Sequence, residues 1–207
     1  SLGAETVFEH SAPIIHCGGV AVKPPPQAFL QPTREGEALL QRHVLALTAR
    51  AKNIADLFSG IGTYPLPLAA KAKVHAVEHD KPMLDARAAA ARAGFIVGAP
   101  AGGGRAGGLK PVTTEARDLF KRPLLGAELA AFDAVVLDPP RAGAQAQCKA
   151  LAASKVRRVT YVSCDAAGFA RDAAILIAAG FALGPVTPVD QFLFSSHIEL
   201  VAGFERK

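Results

Sequence analysis

Three residues close to the ends of apolar runs carry side chains suited to covalent or acid–base work. They are Cys164 in Tyr161-Val162-Ser163-Cys164-Asp165, Asp138 in Val136-Leu137-Asp138-Pro139-Pro140-Arg141, and Glu199 in Ser196-His197-Ile198-Glu199. A thiol where a strand passes into a helix lies near unpaired helix N–H groups, which favour its ionised form, so Cys164 is expected to have a lowered pKa. Cys17 and Cys148 sit at no such step and read as small buried hydrophobes. Pro139 and Pro140 fix a rigid turn at the carboxyl end of a buried strand, where ligands bind in open α/β sheets, so Asp138 is expected to face a site. The same Asp-Pro step also suits a plain turn starter. With period two, His197 and Glu199 share one strand face. A carboxylate on an apolar strand is expensive to bury without a task or partner, although a surface edge strand would also accept it. His197 reads as a residue that positions its loop.

A second group of residues suits a nucleoside. In Asp56-Leu57-Phe58-Ser59-Gly60-Ile61-Gly62 an apolar strand enters a tight glycine turn and then a helix. Gly60 and Gly62 permit positive φ and close approach of a ligand to the backbone, beside the N–H groups of a helix start. Glu78, twenty-two residues beyond Asp56, ends the next apolar run, where a carboxylate can accept hydrogen bonds from both ribose hydroxyls. That spacing fits a nicotinamide dinucleotide or S-adenosylmethionine. Position 65 is proline, so the full dinucleotide fingerprint is absent, and Asp56 before the glycines suits a cationic methionine end better than a pyrophosphate. Asp118, after the third strand, could accept from an adenine amino group or serve as a helix cap or loop residue.

These residues need a frame that brings strand ends together. Helices are expected over Thr33–Ala51, Leu66–Lys71, Pro82–Ala93 and Ala166–Ala179, the last with Gly180 as its C-cap. Strands are expected over Asn53–Phe58, Val74–Val77, Val112–Glu115, Phe132–Leu137, Val159–Val162, Phe181–Leu183 and Ile198–Phe204. Strands alternating with helices predict a doubly wound, mostly parallel α/β sheet covered on both faces. Residues 1–26 end in Pro24-Pro25-Pro26 and read as a segment or extended linker, a remnant of a preceding domain; 27–207 form the main domain. Gly98–Gly108 reads as a glycine-rich loop without assigned chemistry.

Composition excludes several classes. The chain has 207 residues, 50% hydrophobic and 20% charged, enough for one domain with a short appendage. No apolar stretch approaches the roughly 18–20 residues of a membrane span, and the first ten residues lack the basic and apolar parts of a signal peptide. Three cysteines, none in a CxxC pair, make neither a disulfide framework nor a metal site, and favour a reducing, cytoplasmic setting. A net charge of +5 suits a polyanion without a dense basic run. Met83 is the only methionine, so the chain reads as part of a longer protein.

The motifs DLFSGIG, Glu78, DPPRAGA, YVSCD…ARD and SHIE stand in the order found in the RNA 5-methyluridine (uracil-C5) methyltransferases, which this sequence resembles from about Gln27 to its end. DPPRAGA, SCD and HIE are the discriminating trio. The resemblance implies a seven-stranded class I, Rossmann-like methyltransferase that uses S-adenosylmethionine and acts on a flipped uridine in tRNA or rRNA. It implies that Gln31, Asp56, Phe58, Gly60, Gly62, Glu78, Asp118 and Asp138 line the cofactor, with Asp138 between cofactor and base. Cys164 would be the nucleophile at carbon 6 and Glu199 the base that removes the carbon 5 proton. Pro32-Thr33-Arg34 after Gln31, and Asp-Ala-Ala-Gly after Cys164, depart from the family's pattern. Many members also carry an RNA-binding β-barrel, and some a four-cysteine cluster, that have no counterpart here. Two rivals remain: a methyltransferase of exocyclic amines, whose Asp-Pro-Pro is ordinarily followed by an aromatic where Arg141 stands, and an inactive methyltransferase fold that only binds RNA.

Overall fold

The computed structural model describes residues 10–93, 108–192 and 194–206. Most of the glycine-rich stretch lies outside them. Seven strands form one sheet in the order β5-β4-β3-β6-β7-β9-β8. They are β3 (Asn53–Leu57), β4 (Lys73–Glu78), β5 (Val112–Ala116), β6 (Ala134–Leu137), β7 (Arg158–Ser163), β8 (Ala182–Val189) and β9 (Glu199–Glu205). The first five run parallel; β9 is antiparallel to both β7 and β8. The order reverses between β3 and β6, and the crevice outside strand ends at such a point is where open α/β sheets bind ligands.

Alternation along each strand feeds two cores. Ala55, Leu57, Val135, Leu137, Val159 and Tyr161 face one core with α5 (Gln145–Ala152) and α6 (Ala166–Ala178). Ile54, Ala134, Val136 and Val162 face the other, with α1 (Arg34–Leu47) and α2 (Pro65–Leu68). Strands buried on both faces read as continuous apolar runs, which is why Val135–Leu137 carries no polar residue. Thr33 caps α1 by accepting from Gly36 N at 3.0 Å, and Asp165 caps α6 by accepting from Gly168 N at 2.5 Å. Helix α3 (Lys81–Ala93) begins with Pro82 in its first turn.

Three features differ from the expectation. The segment before the prolines contains a hairpin, β1 (Ile15–Cys17) and β2 (Val20–Val22). Gly18 and Gly19, with φ of 58° and 86°, make its two-residue turn. A Cβ at Gly18 would stand 2.5 Å from Pro67 Cβ, so the turn packs tightly on α2, and Cys17, Val20 and Val22 share a core with Ile61, Leu66 and Ala90. Residues 15–22 are therefore packed structure rather than linker. Two short helices, α4 (Gly126–Leu129) and α5, were not anticipated. Strand β8 extends well past Leu183, with an irregularity between Leu183 and Val186; Pro185 and Pro188 are tolerated because it is an edge strand. No helix among the described residues is long and apolar enough to cross a membrane.

Candidate active site

A cavity of about 610 Å³ opens over the carboxyl ends of the parallel strands. Its β3–β4 wall is built from backbone. Phe58, just past β3, adopts φ of 62°, and Gly60 and Gly62 follow at 49° and 121°. Ser59 N and Oγ both donate to Val77 O, at 3.0 and 3.1 Å, which ties the turn to β4. Glu78 completes the tie: one carboxylate oxygen accepts from Gly60 N at 2.9 Å, the other from His79 N at 2.6 Å and Asp80 N at 3.0 Å. Phe58, Gly60 and Glu78 line the cavity. A Cβ at Gly60 would meet nothing within 4 Å, so its glycine serves the backbone conformation and leaves room above the turn.

Asp56 and Gly62 lie behind this wall. Asp56 is fully buried, with neither carboxylate oxygen hydrogen-bonded among the described residues, and it does not line the cavity. Burial, with a smaller push from Glu78, raises its pKa to about 8 against the pull of Arg87. A direct contact with a cationic ligand is thus not what this residue is placed to make. Gly62 is required by its backbone, whose φ of 121° side-chain-bearing residues rarely adopt, and a Cβ there would also press on Leu66 Cδ1 at 2.8 Å. Arg87, fully buried on α3, donates to Ser59 Oγ, to Gly60 O at 3.1 Å and to Ala76 O at 3.3 Å. It braces the glycine turn from beneath, and nothing in a run of alanines signalled it.

Asp118 sits at the rim after β5. Its carboxylate accepts from Phe120 N at 3.0 Å, pairs with Lys121 Nζ at 3.2 Å, and is held below the usual carboxylate range mainly by Lys121. Asp118 shapes a turn, as its loop reading expects, and it also lines the cavity beside Phe120, whose ring meets Phe58 at 5.4 Å. Gln31 lines the cavity as well, from the loop before α1.

The opposite wall brings together Asp138, Cys164 and Glu199 from the ends of β6, β7 and β9. Burial and the proximity of Glu199, Asp56 and Glu78 push Asp138 well above the ordinary carboxylate range. Glu199, 3% exposed, is raised by burial to about 7. The Cys164 thiol is also raised, by burial first and then by Glu199 and Asp138. The easy ionisation expected from the helix terminus is therefore corrected. Asp165 already takes the Gly168 N–H, and two acids stand close by. Tyr64 shares the cavity with its hydroxyl buried and without a partner among the described residues, a residue the sequence reading passed over. At the rim Arg141 donates to the His197 ring at 3.0 Å, which joins the loop after β6 to the segment before β9.

A reversed-order parallel sheet ending in an antiparallel pair, with a glycine turn and an acid at the first two strand ends, is the class I methyltransferase fold. The family model described as tRNA (Uracil-5-)-methyltransferase matches residues 20–207, and the chain belongs to that family. It is 50% identical over 206 residues to an uncharacterized RNA methyltransferase of Rhizobium meliloti, covering 100% of this chain and 47% of that protein. It is 37% identical over 177 residues to the 23S rRNA (uracil(1939)-C(5))-methyltransferase RlmD of Chromohalobacter salexigens, covering 84% of this chain and 34% of that one. The chain thus spans about half the length, or less, of these curated relatives. The Pyrococcus abyssi tRNA (uracil-54, C5)-methyltransferase, solved in complex with S-adenosyl-L-homocysteine, shares the fold with a TM-score of 0.76 and 24% identity, over 95% of this chain and 45% of that one.

Proposed function

We propose that this chain transfers a methyl group from S-adenosylmethionine to carbon 5 of a uridine in tRNA or rRNA, through a covalent bond between Cys164 and carbon 6. The observation that carries the reading is one thiol and two carboxyls, Cys164, Asp138 and Glu199, on one cavity wall opposite a nucleoside-type turn. Two of the proteins named above, RlmD of Chromohalobacter salexigens and the Pyrococcus abyssi enzyme, carry names that place their action on uracil C5 of 23S rRNA and of tRNA, which supports the substrate class.

The residues present fit that cofactor. Glu78 at a strand end suits ribose hydroxyls, Phe58 and Phe120 suit a flat adenine, and Gln31 and Asp138 lie toward the reacting end. The acids on the far wall repel one another, so a cationic sulfonium relieves what the protein alone does not. When bound, the cofactor supplies an electrophilic methyl group.

Carbon 5 of uracil is a weak nucleophile, and the chain's own groups remedy this. The Cys164 thiol gives its proton to solvent and its sulfur bonds carbon 6, which moves the ring double-bond electrons onto carbon 5 and its neighbouring carbonyl. After carbon 5 takes the methyl, the Glu199 carboxylate removes the remaining carbon 5 proton. The double bond re-forms and the thiolate leaves. A pKa of about 7 suits a base that must accept a proton and release it near neutral pH. A base inside a duplex cannot reach such a cavity, so the uridine is flipped or unpaired. We further assign 27–207 to the methyl-transfer domain, with the hairpin of residues 15–22 packed onto it, and place the chain in the cytoplasm.

The test is to incubate the chain with tRNA and rRNA transcripts and methyl-labelled cofactor, digest the RNA to nucleosides and separate them. Label in 5-methyluridine supports the reading. Label in a methylated exocyclic amine, or cofactor binding with no transfer, contradicts it.

A further inference from the structure

Phe194 stands between β8 and β9 with its side chain fully exposed and its backbone at φ of 61°, a left-handed conformation that a bulky residue seldom adopts. The turn that carries it is anchored at both ends. Before it, Gln191, 2% exposed, donates from Nε2 to Gln31 Oε1 at 2.5 Å, across 160 residues of chain. Gln191 also rests on α1, where a Cβ at Gly36 would stand 2.8 Å from its own Cβ. After it, Ser195 N donates to Phe192 O at 3.1 Å and His197 N to Ser195 Oγ at 3.0 Å. The His197 ring accepts from Arg141 and meets the Phe192 ring edge-on at 6.0 Å. Gln31, Phe192, Arg141 and His197 all line the cavity. The turn therefore sits on the cavity rim, with Phe192 on the wall and Phe194 held out beside the opening. Phe29, two residues before Gln31, lines the same rim and is more than half exposed.

A uridine turned into this cavity leaves the nucleotides on either side of it at the rim, and a base unstacked from the uridine exposes a flat apolar face. An aromatic ring held out at the rim matches that face, and stacking of this kind tolerates any base because every base has one. The charge at the rim agrees. Arg141 is exposed and makes no ion pair among the described residues, which suits a backbone phosphate. We infer that Phe194 is the surface on which the base next to the target uridine stacks, with Arg141 toward the phosphate between them, so that the site takes RNA in which the uridine and this neighbour are both unpaired. The inference rests on the reading of the chain as an RNA methyltransferase.

The test takes a short unpaired RNA around the uridine that the chain labels, and two copies of it with an abasic nucleotide on the 5′ or the 3′ side of that uridine. Binding is followed by fluorescence anisotropy of a dye on the RNA. Phe194→Ala should bind the intact RNA about tenfold more weakly, and Phe194→Tyr, which keeps the flat ring, should bind it as the unsubstituted chain does. One of the abasic RNAs should weaken the unsubstituted chain by the same factor and cost Phe194→Ala nothing further. The slope of affinity against salt should stay the same in Phe194→Ala and become shallower in Arg141→Gln, which separates stacking from charge. Because Phe194 is outside the core, its variants should keep the melting temperature and the cofactor affinity. An unchanged RNA affinity in Phe194→Ala overturns the inference, as does an equal loss on the intact and both abasic RNAs. So does the loss of a dimer in sedimentation with RNA affinity intact, which would give the ring to a second copy of this chain. The reading beneath is judged apart, on the unsubstituted chain: if it forms no 5-methyluridine in any RNA, that reading fails and the inference with it.

Discussion

On the β3–β4 side of the cavity, the acids of the wall are tied to backbone N–H groups: Glu78 accepts three such bonds and Asp118 accepts from Phe120 and Lys121. On the β6–β7–β9 side, Asp138, Cys164 and Glu199 crowd together, and all three are pushed toward their neutral forms. The first wall is finished by the fold itself. The second is held in a state that favours a cation and a proton acceptor, as differential stabilisation of a charged reacting complex requires. Rigid binding surface and reactive surface are thus separated by the strand-order reversal between β3 and β6.

The sharpest way to separate the walls is Glu199→Gln. Removing the base should lower turnover by about 10²–10⁴-fold while cofactor affinity, measured by calorimetry, stays nearly unchanged. A parallel loss of affinity would mean that the walls are not independent. The mirror experiment is Arg87→Met. The glycine turn loses its brace, leaving Gly60 O and Ala76 O without the buried Arg87 donors, so the protein should lose about 2–3 kcal/mol of stability in denaturant titration and cofactor affinity should fall. The rate at saturating cofactor should change little.

A pH series compares Asp56, behind the first wall, with Glu199, on the second. Asp56 rises from its ordinary 3.8 to about 8, and Glu199 from 4.5 to about 7. Folding therefore takes up protons. The stability these groups contribute is fully present below about pH 4 and is lost as pH rises through about 7 for Glu199 and about 8 for Asp56. The free protein should melt at a lower temperature at pH 8.5 than at pH 5, and Asp56→Asn should flatten the upper part of that slope. The smallest effect belongs to Tyr64→Phe. Its hydroxyl has no partner among the described residues, so its removal should leave the melting temperature almost unchanged, and a several-fold weaker cofactor affinity would identify it as a ligand donor.

Much of this frame could be read from the chain. Alternating strands and helices, the glycine turn, the acid closing β4 and the Asp-Pro-Pro step all depend on near neighbours, and Asp138, Cys164 and Glu199 do meet on one wall. What escaped depends on distant partners. Gln191 acquires meaning only beside Gln31, and Arg87 only once α3 lies under the turn. The hairpin was hidden because its two strands are three residues each and stand just ahead of a proline run. The Cys164 shift was misjudged because a helix terminus was visible in the sequence and the acids opposite it were not.

The central claim is that the Cys164 sulfur bonds carbon 6 of a uracil ring. RNA containing 5-fluorouridine tests it most directly, because fluorine at carbon 5 cannot leave as a proton and the adduct cannot resolve. Incubated with that RNA and the cofactor, the chain should gain the mass of the methylated RNA, with the bond mapped to Cys164, and Cys164→Ala should gain nothing. A Cys164→Ala chain that still traps the RNA, or an unsubstituted chain that methylates uridine yet never traps it, would contradict the account.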